Sequence, residues 1–153
     1  MVIVTLTLIV AACGGSPSAL SQLKALPEAG LAPPGAVHVS RNERDAGRTI
    51  SGPAPAILGD VMATTLAREA VFEFYQAELT TRGYARDDRD LANIRTTIEH
   101  EVRVWRKGDV IARVAFLRVG DVPVPAVPAG MPDASLFELA FIAKGPRADA
   151  SRT

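Results

Sequence analysis

The spacing of apolar residues predicts one long helix in the middle of the chain. In TLAREAVFEFYQAELTTRGY, apolar residues recur every three to four positions, as on one face of a helix. This predicts a helix over Leu66–Arg82, with Thr65 as its N-cap because a threonine hydroxyl can accept a hydrogen bond from an unpaired N–H. Gly83 stands where a helix end favours a left-handed residue, and Tyr84 is placed to pack back on Leu79.

Alternation of apolar and polar residues predicts strands on both sides of this helix. The stretch AVHVSRNE from Ala36 alternates, and a second strand over Ile57–Thr64 follows a turn rich in glycine and proline. The stretch EHEVRVWRKGDVIARVAFLRV predicts a hairpin that reverses at Lys107–Gly108, where glycine supplies a positive φ. A last strand over Ser135–Lys144 follows a proline-rich connection over residues 120–134.

These elements predict an α+β fold in a single domain over residues 36–145. Their order is β-β-α-β-β-β, which indicates one main helix packed on a mostly antiparallel sheet of four to five strands. A chain of 153 residues is about the size of one domain. The polar C-terminus over residues 146–153 is expected to be a disordered tail.

The N-terminus carries an apolar run, VIVTLTLIVAA, that is too short to cross a membrane. A spanning helix needs about 20 apolar residues, whereas this run extends only from Val2 to Ala12 and is followed by small and polar residues. A short apolar region followed by small residues is typical of an export signal that is later removed. An export signal cleaved elsewhere or retained, and a buried core element, are the alternatives.

The end of this run, VAAC, resembles the lipobox of bacterial lipoproteins. The resemblance implies that Val10, Ala11 and Ala12 are recognised by the processing enzymes, and that residues 1–12 are a signal peptide. It also implies that Cys13 is linked to diacylglycerol and becomes the first residue of the mature chain. The protein would then be held on the extracytoplasmic face of the cell membrane, where two acyl chains anchor stably and one does not.

Residues 13–35 are predicted to be a flexible tether behind the lipidated cysteine. The stretch is rich in glycine, serine, proline and alanine, a composition typical of flexible or partly extended linkers. An amphipathic turn over Leu20–Leu26 is an option within it, and Pro27 would end such a turn.

A second resemblance covers roughly residues 36–145. The helix VFEFYQAELTTRGY, followed by VWRKGD and a closing apolar strand, is similar to small uncharacterised lipoproteins of GC-rich bacteria. The likeness lies in structural residues, so it implies a fold and no particular activity.

Charge and cysteine content narrow the classes of function. The 17 basic and 17 acidic residues balance, which argues against a nucleic-acid partner or a polybasic membrane patch. The single cysteine excludes an internal disulfide, and lipidation would account for it.

No group of residues forms a recognisable catalytic, cofactor or metal motif, so no cofactor is expected. His38 and His100 lie in separate predicted strands without the further ligands that a metal needs. The acidic stretch Arg86–Asp90 lacks the spacing of a calcium loop. Three acidic residues of the helix are expected to face solvent: Glu69, Glu73 and Glu78.

Two surfaces are candidates for contact with an envelope partner. Trp105 lies on the same side of its strand as Arg103 and Lys107, and such a composition is common at binding surfaces. Sheet twist or the proline-rich connection would instead cover it. The second candidate is the Val122–Pro132 loop itself.

The sequence therefore predicts a lipid-anchored envelope protein with a non-catalytic binding or accessory domain. The alternatives are a small envelope hydrolase, or a carrier of an apolar ligand held between helix and sheet. The oligomeric state stays open.

Overall fold

A computed structural model describes residues 17–87, 99–118 and 124–143. In chain order the elements are α1 (Ala19–Lys24), β1 (Val37–Arg44), β2 (Gly47–Thr49), β3 (Gly52–Ala54), β4 (Ala56–Thr64), α2 (Arg68–Thr81), β5 (Ala85–Arg86), β6 (Glu99–Lys107), β7 (Val110–Leu117) and β8 (Ser135–Ala143).

The main sheet has six strands in the order β1-β4-β8-β7-β6-β5, and every neighbouring pair is antiparallel. The α+β class and the mostly antiparallel sheet are confirmed. The strand number and the element order are corrected, because β5 and the separate β2–β3 hairpin were not predicted. These three strands are only two or three residues long, and β2 and β3 contain glycine and proline, so no alternation marks them in the sequence.

Helix α2 is the predicted central helix, but it begins later than expected. It spans Arg68–Thr81 with Ala67 at the N-cap position, and no side chain caps it. Thr65 is therefore not the N-cap. The neighbouring Thr64 instead accepts a hydrogen bond from the backbone N–H of Leu66 (3.1 Å), which holds the chain in a turn before the helix begins.

The C-terminal end of α2 is confirmed in detail. Gly83 adopts a positive φ of 84°. Its N–H donates to the carbonyl of Thr80 (2.9 Å), and the N–H of Tyr84 donates to the carbonyl of Leu79 (3.0 Å). This is the hydrogen-bond pattern of the Schellman motif, in which the residue after the glycine packs back on the helix. Leu79 and Tyr84 are both buried in the main core.

Aromatic rings fill the space between α2 and the sheet. Phe72 of the helix meets Phe116 of β7 edge to face, with ring centroids 5.4 Å apart. Tyr75 meets Phe137 of β8 in a similar way at 6.1 Å. Both helix rings are buried, and such edge-to-face contacts add to the free energy gained by burying their surface.

The N-terminal segment packs on the same face of the sheet, beside α2. Helix α1 contacts β4 and β8, and its Leu23 is only 1% exposed. Further along, the Tyr84 hydroxyl donates to the buried carboxylate of Glu28 (2.7 Å), and the Tyr75 hydroxyl donates to the Leu31 carbonyl (3.0 Å).

The predicted tether over residues 13–35 is therefore wrong for residues 17–35, which belong to the fold. Leucines at positions 20, 23 and 26 recur at helical spacing, and this short stripe outweighs the linker-like composition around it. The described part of the domain therefore includes residues 17–35 in addition to those from residue 36.

The opposite face of the sheet carries a smaller core. Val61, Ala63 and Leu136 are buried there, and Val124, Val127 and Met131 of the proline-rich connection pack against them. Residues 124–134 form no strand, as predicted. These three side chains are only partly buried, and Ala126, Ala129 and Pro132 of the same loop are exposed, so its role as a contact surface stays a prediction.

Some predictions fall outside the described residues. The lipobox residues Val10, Ala11, Ala12 and Cys13 are among them, as is the C-terminal tail over 146–153. In the described part of the chain, neither helix is long and apolar enough to cross a membrane.

Candidate functional site

The structure places Trp105 inside the protein. Its side chain is 0% exposed, and the indole N–H donates to the side-chain oxygen of Gln76 on α2 (2.9 Å). The Arg86 guanidinium lies 5.2 Å from the centre of the ring. The expected partner contact at Trp105 is therefore corrected: the strand side that carries Arg103 and Lys107 is the side covered by α2, and the opposite side is also buried at Val104.

Arg103 and Lys107 lie beside Trp105 as predicted, but each contacts the fold. Arg103 makes a two-pronged ion pair with Glu69 of α2, at 3.1 and 2.9 Å, while its guanidinium lies 4.2 Å from the centre of the Phe72 ring. The Lys107 ammonium lies 5.4 Å from the centre of the Tyr84 ring. Cations over aromatic faces are stabilising, so Arg103 links β6 to α2, and Lys107 links β6 to the residues that follow the end of that helix.

A polar cluster at the edge of the sheet was not predicted from the sequence. Asp60 of β4 is only 5% exposed, and its carboxylate accepts two hydrogen bonds from Arg41 of β1, at 2.7 and 2.9 Å. Nε2 of His38 lies 3.0 Å from the same carboxylate. The hydrogen bond to Asp60 is the main cause of a raised pKa for the Arg41 guanidinium.

This cluster has the chemistry of a strand clamp. Arg41 of β1 donates to both oxygens of the Asp60 carboxylate, and Nε2 of His38 lies against one of them, so these contacts join β1 to β4. Within the described ranges, no three His, Cys, Asp or Glu residues come together as metal ligands would. The sequence signal was Asp60 itself, a charge inside the apolar strand AILGDVMAT, since a buried charge requires a partner.

The contact between Glu28 and Tyr84 was also missed, because Glu28 lies in the segment interpreted as a tether. Burial and the hydrogen bond to Glu28 raise the pKa of the Tyr84 hydroxyl. Burial, together with the nearby charge of Asp60, raises the pKa of Tyr75. Both phenols are therefore held in their neutral form by the fold.

Three large apolar side chains of the described part are exposed, and they lie at opposite ends of the sheet. Val37, 43% exposed, pairs with Ala63 near the end of β4, and Leu66, 36% exposed, follows that strand end. Ile50 is fully exposed at the turn of the β2–β3 hairpin, which joins the other ends of β1 and β4.

No protein-family model, curated protein or solved structure matches this chain.

Proposed function

We propose that this chain is a lipoprotein of the cell envelope, anchored through Cys13, whose domain is a non-catalytic binding or accessory module. The observation that carries the proposal is the sequence VAAC at the end of an apolar run that is too short to span a membrane. In this proposal residues 1–12 are removed, and diacylglycerol on the Cys13 sulfur holds the domain at the extracytoplasmic face.

The single cysteine supports the anchor. A lone thiol in an exported protein otherwise stays free or forms an intermolecular disulfide, whereas lipidation uses the sulfur of Cys13. Pro17, the first residue that the structure describes, follows Cys13 by four positions, so the lipid would be attached close to the described part of the domain.

The contacts of the buried carboxylates support a non-catalytic role. Asp60 is held by Arg41, Glu28 by Tyr84, and Asp87 by Arg106 of β6. Each contact joins two segments of the fold and thereby stabilises it. The rings between α2 and the sheet occupy the space that a carrier of an apolar ligand would need.

We place the proposed partner surface at Val37 and Leu66 rather than at the buried Trp105. Val37 and Leu66 are exposed at neighbouring strand ends, and exposed apolar residues contribute most to contacts when a partner removes them from water. They lie at the end of the sheet opposite the β2–β3 hairpin.

Intact mass and detergent partitioning of the protein from its native host test the anchor. We expect the wild type to lack residues 1–12, to carry the mass of diacylglycerol and to enter the detergent phase. Cys13→Ala should lose all three properties. Ser16→Ala, which leaves VAAC unchanged, is the matched control and should behave as the wild type. An unmodified, aqueous wild type that retains residues 1–12 would overturn the proposal.

A further inference from the structure

We propose that the tip of the β2–β3 hairpin contacts the phospholipid surface, so that the domain stands on the membrane with the Val37–Leu66 end pointing away. This rests on the proposed lipid anchor at Cys13. It adds a defined membrane-contact site, Ile50 flanked by Arg44 and Arg48, and a defined orientation of the domain.

Only a short stretch of chain separates the proposed anchor from the described fold. Four peptide units separate Cys13 from Pro17, and an extended chain of that length reaches about 14 Å at most. A flexible tether over residues 13–35 would instead have placed the domain at an average distance on the order of 25 Å. Since residues 17–35 are packed on the sheet, the domain is held close to the bilayer.

Helix α1 is hydrogen-bonded to the connection that precedes the β2–β3 hairpin. The N–H of Leu20, in the first turn of α1, donates to the side chain of Asp45 (3.0 Å). Asp45 lies in the short connection between β1 and β2. The chain therefore enters the fold beside the base of the β2–β3 hairpin.

The β2–β3 hairpin lies at one end of β1 and β4. Strand β2 begins three residues after β1 ends at Arg44, and β3 ends two residues before β4 begins at Ala56. In the sheet, Arg44 lies opposite Ile57, so the hairpin joins the same end of both strands. A lipid attached to the entering chain would draw this end toward the bilayer.

The hairpin combines an apolar tip with exposed arginines. Ile50 at its turn is fully exposed, and Arg44 and Arg48 are exposed near its base and along β2. The nearby acidic residues have partners within the fold, since Glu43 pairs with Lys24 and Asp45 bonds the start of α1. An apolar tip with arginines behind it suits the membrane interface, where the isoleucine enters the acyl region and the arginines meet phosphates.

The test uses the single cysteine of the chain. Lipidation blocks the sulfur of Cys13, so Ile50→Cys provides one free thiol for an environment-sensitive fluorophore. The lipidated protein is placed in vesicles of phosphatidylethanolamine and phosphatidylglycerol, with and without a spin-labelled lipid that quenches fluorescence. Leu66→Cys is the matched control, because Leu66 is also exposed and apolar but lies beyond the other end of β4, roughly 27 Å away along the strand.

We expect quenching at position 50 to be several-fold stronger than at position 66, with a blue-shifted emission. Equal quenching at the two positions, or stronger quenching at 66, would overturn the membrane-contact site while leaving the anchor in place. Intact mass of the same samples separates the two proposals, because a Cys13 without diacylglycerol would overturn the anchor and this inference with it. Circular dichroism of both labelled variants checks that the fold is retained.

Discussion

Replacing Leu23 with alanine tests whether the N-terminal segment is part of the domain. Leu23 of α1 is 1% exposed and lies in the main core. Removing a buried leucine side chain to the β-carbon costs about 2–5 kcal/mol, because apolar contacts are lost and a cavity remains. For a domain of this size, a loss of about 3 kcal/mol lowers the melting temperature by roughly 10 °C.

A flexible tether predicts the opposite result. Alanine is the best helix former, so Leu23→Ala in an unpacked segment would leave the free energy of unfolding unchanged. A flexible tether also predicts that deletion of residues 17–35 would leave the free energy of unfolding unchanged. In the structure, that deletion removes Leu23 and also the partners of the Tyr75 and Tyr84 hydroxyls. We therefore expect the deleted form to lose cooperative unfolding.

The assay is urea and thermal unfolding of a form that begins at Gly14, followed by circular dichroism. Leu66→Ala is the control, because this leucine is 36% exposed and its truncation should change the free energy of unfolding by no more than about 0.5 kcal/mol. Equal midpoints for Leu23→Ala and Leu66→Ala would refute the packing described for α1.

The two tyrosines of the chain and the end of α2 give further predictions. Burial raises the pKa of Tyr75 and Tyr84 above the ordinary value of 10.0. The free energy of unfolding is therefore unaffected by these groups below pH 10, and above pH 10 it falls by about 1.4 kcal/mol per tyrosine and pH unit. Tyrosinate absorbance should therefore rise only together with the loss of circular dichroism; a rise near pH 10 with the fold intact would contradict this. At the helix end, Gly83→Ala should cost about 1–2 kcal/mol in urea unfolding because φ is 84°. Gly130→Ala, with free space around the added carbon and no positive φ, is its control, and equal midpoints would refute the strain.

The parts of the fold that were predicted from sequence are those with a strong local signal. Helix α2, its glycine end at Gly83, and the reversal at Gly108 follow from periodicity and from backbone positions that only glycine occupies easily. The hairpin β2–β3 and strand β5 gave no such signal, because they are too short for a period to show.

The candidate site was harder to predict because it depends on which side of a strand faces the helix. Val104 and Trp105 point to opposite faces of β6, and both are buried. In a strand covered on both sides, alternation does not identify the outer face. Charged neighbours made the Trp105 side look exposed, whereas Arg103 and Lys107 extend over aromatic rings of the core.

The position of β8 in the sheet has a consequence for how the chain folds. This last strand lies between β4 and β7, and its partner β4 ends at Thr64 whereas β8 begins only at Ser135. Pairing of residues so far apart in sequence is slow, and it cannot take place until the C-terminal part of the chain is present. If the chain crosses a membrane from its N-terminus, β4 reaches the far side before β8 and has no β8 to pair with until the C-terminal part has also crossed. The order of the strands would thus keep the protein unfolded until its passage is nearly complete.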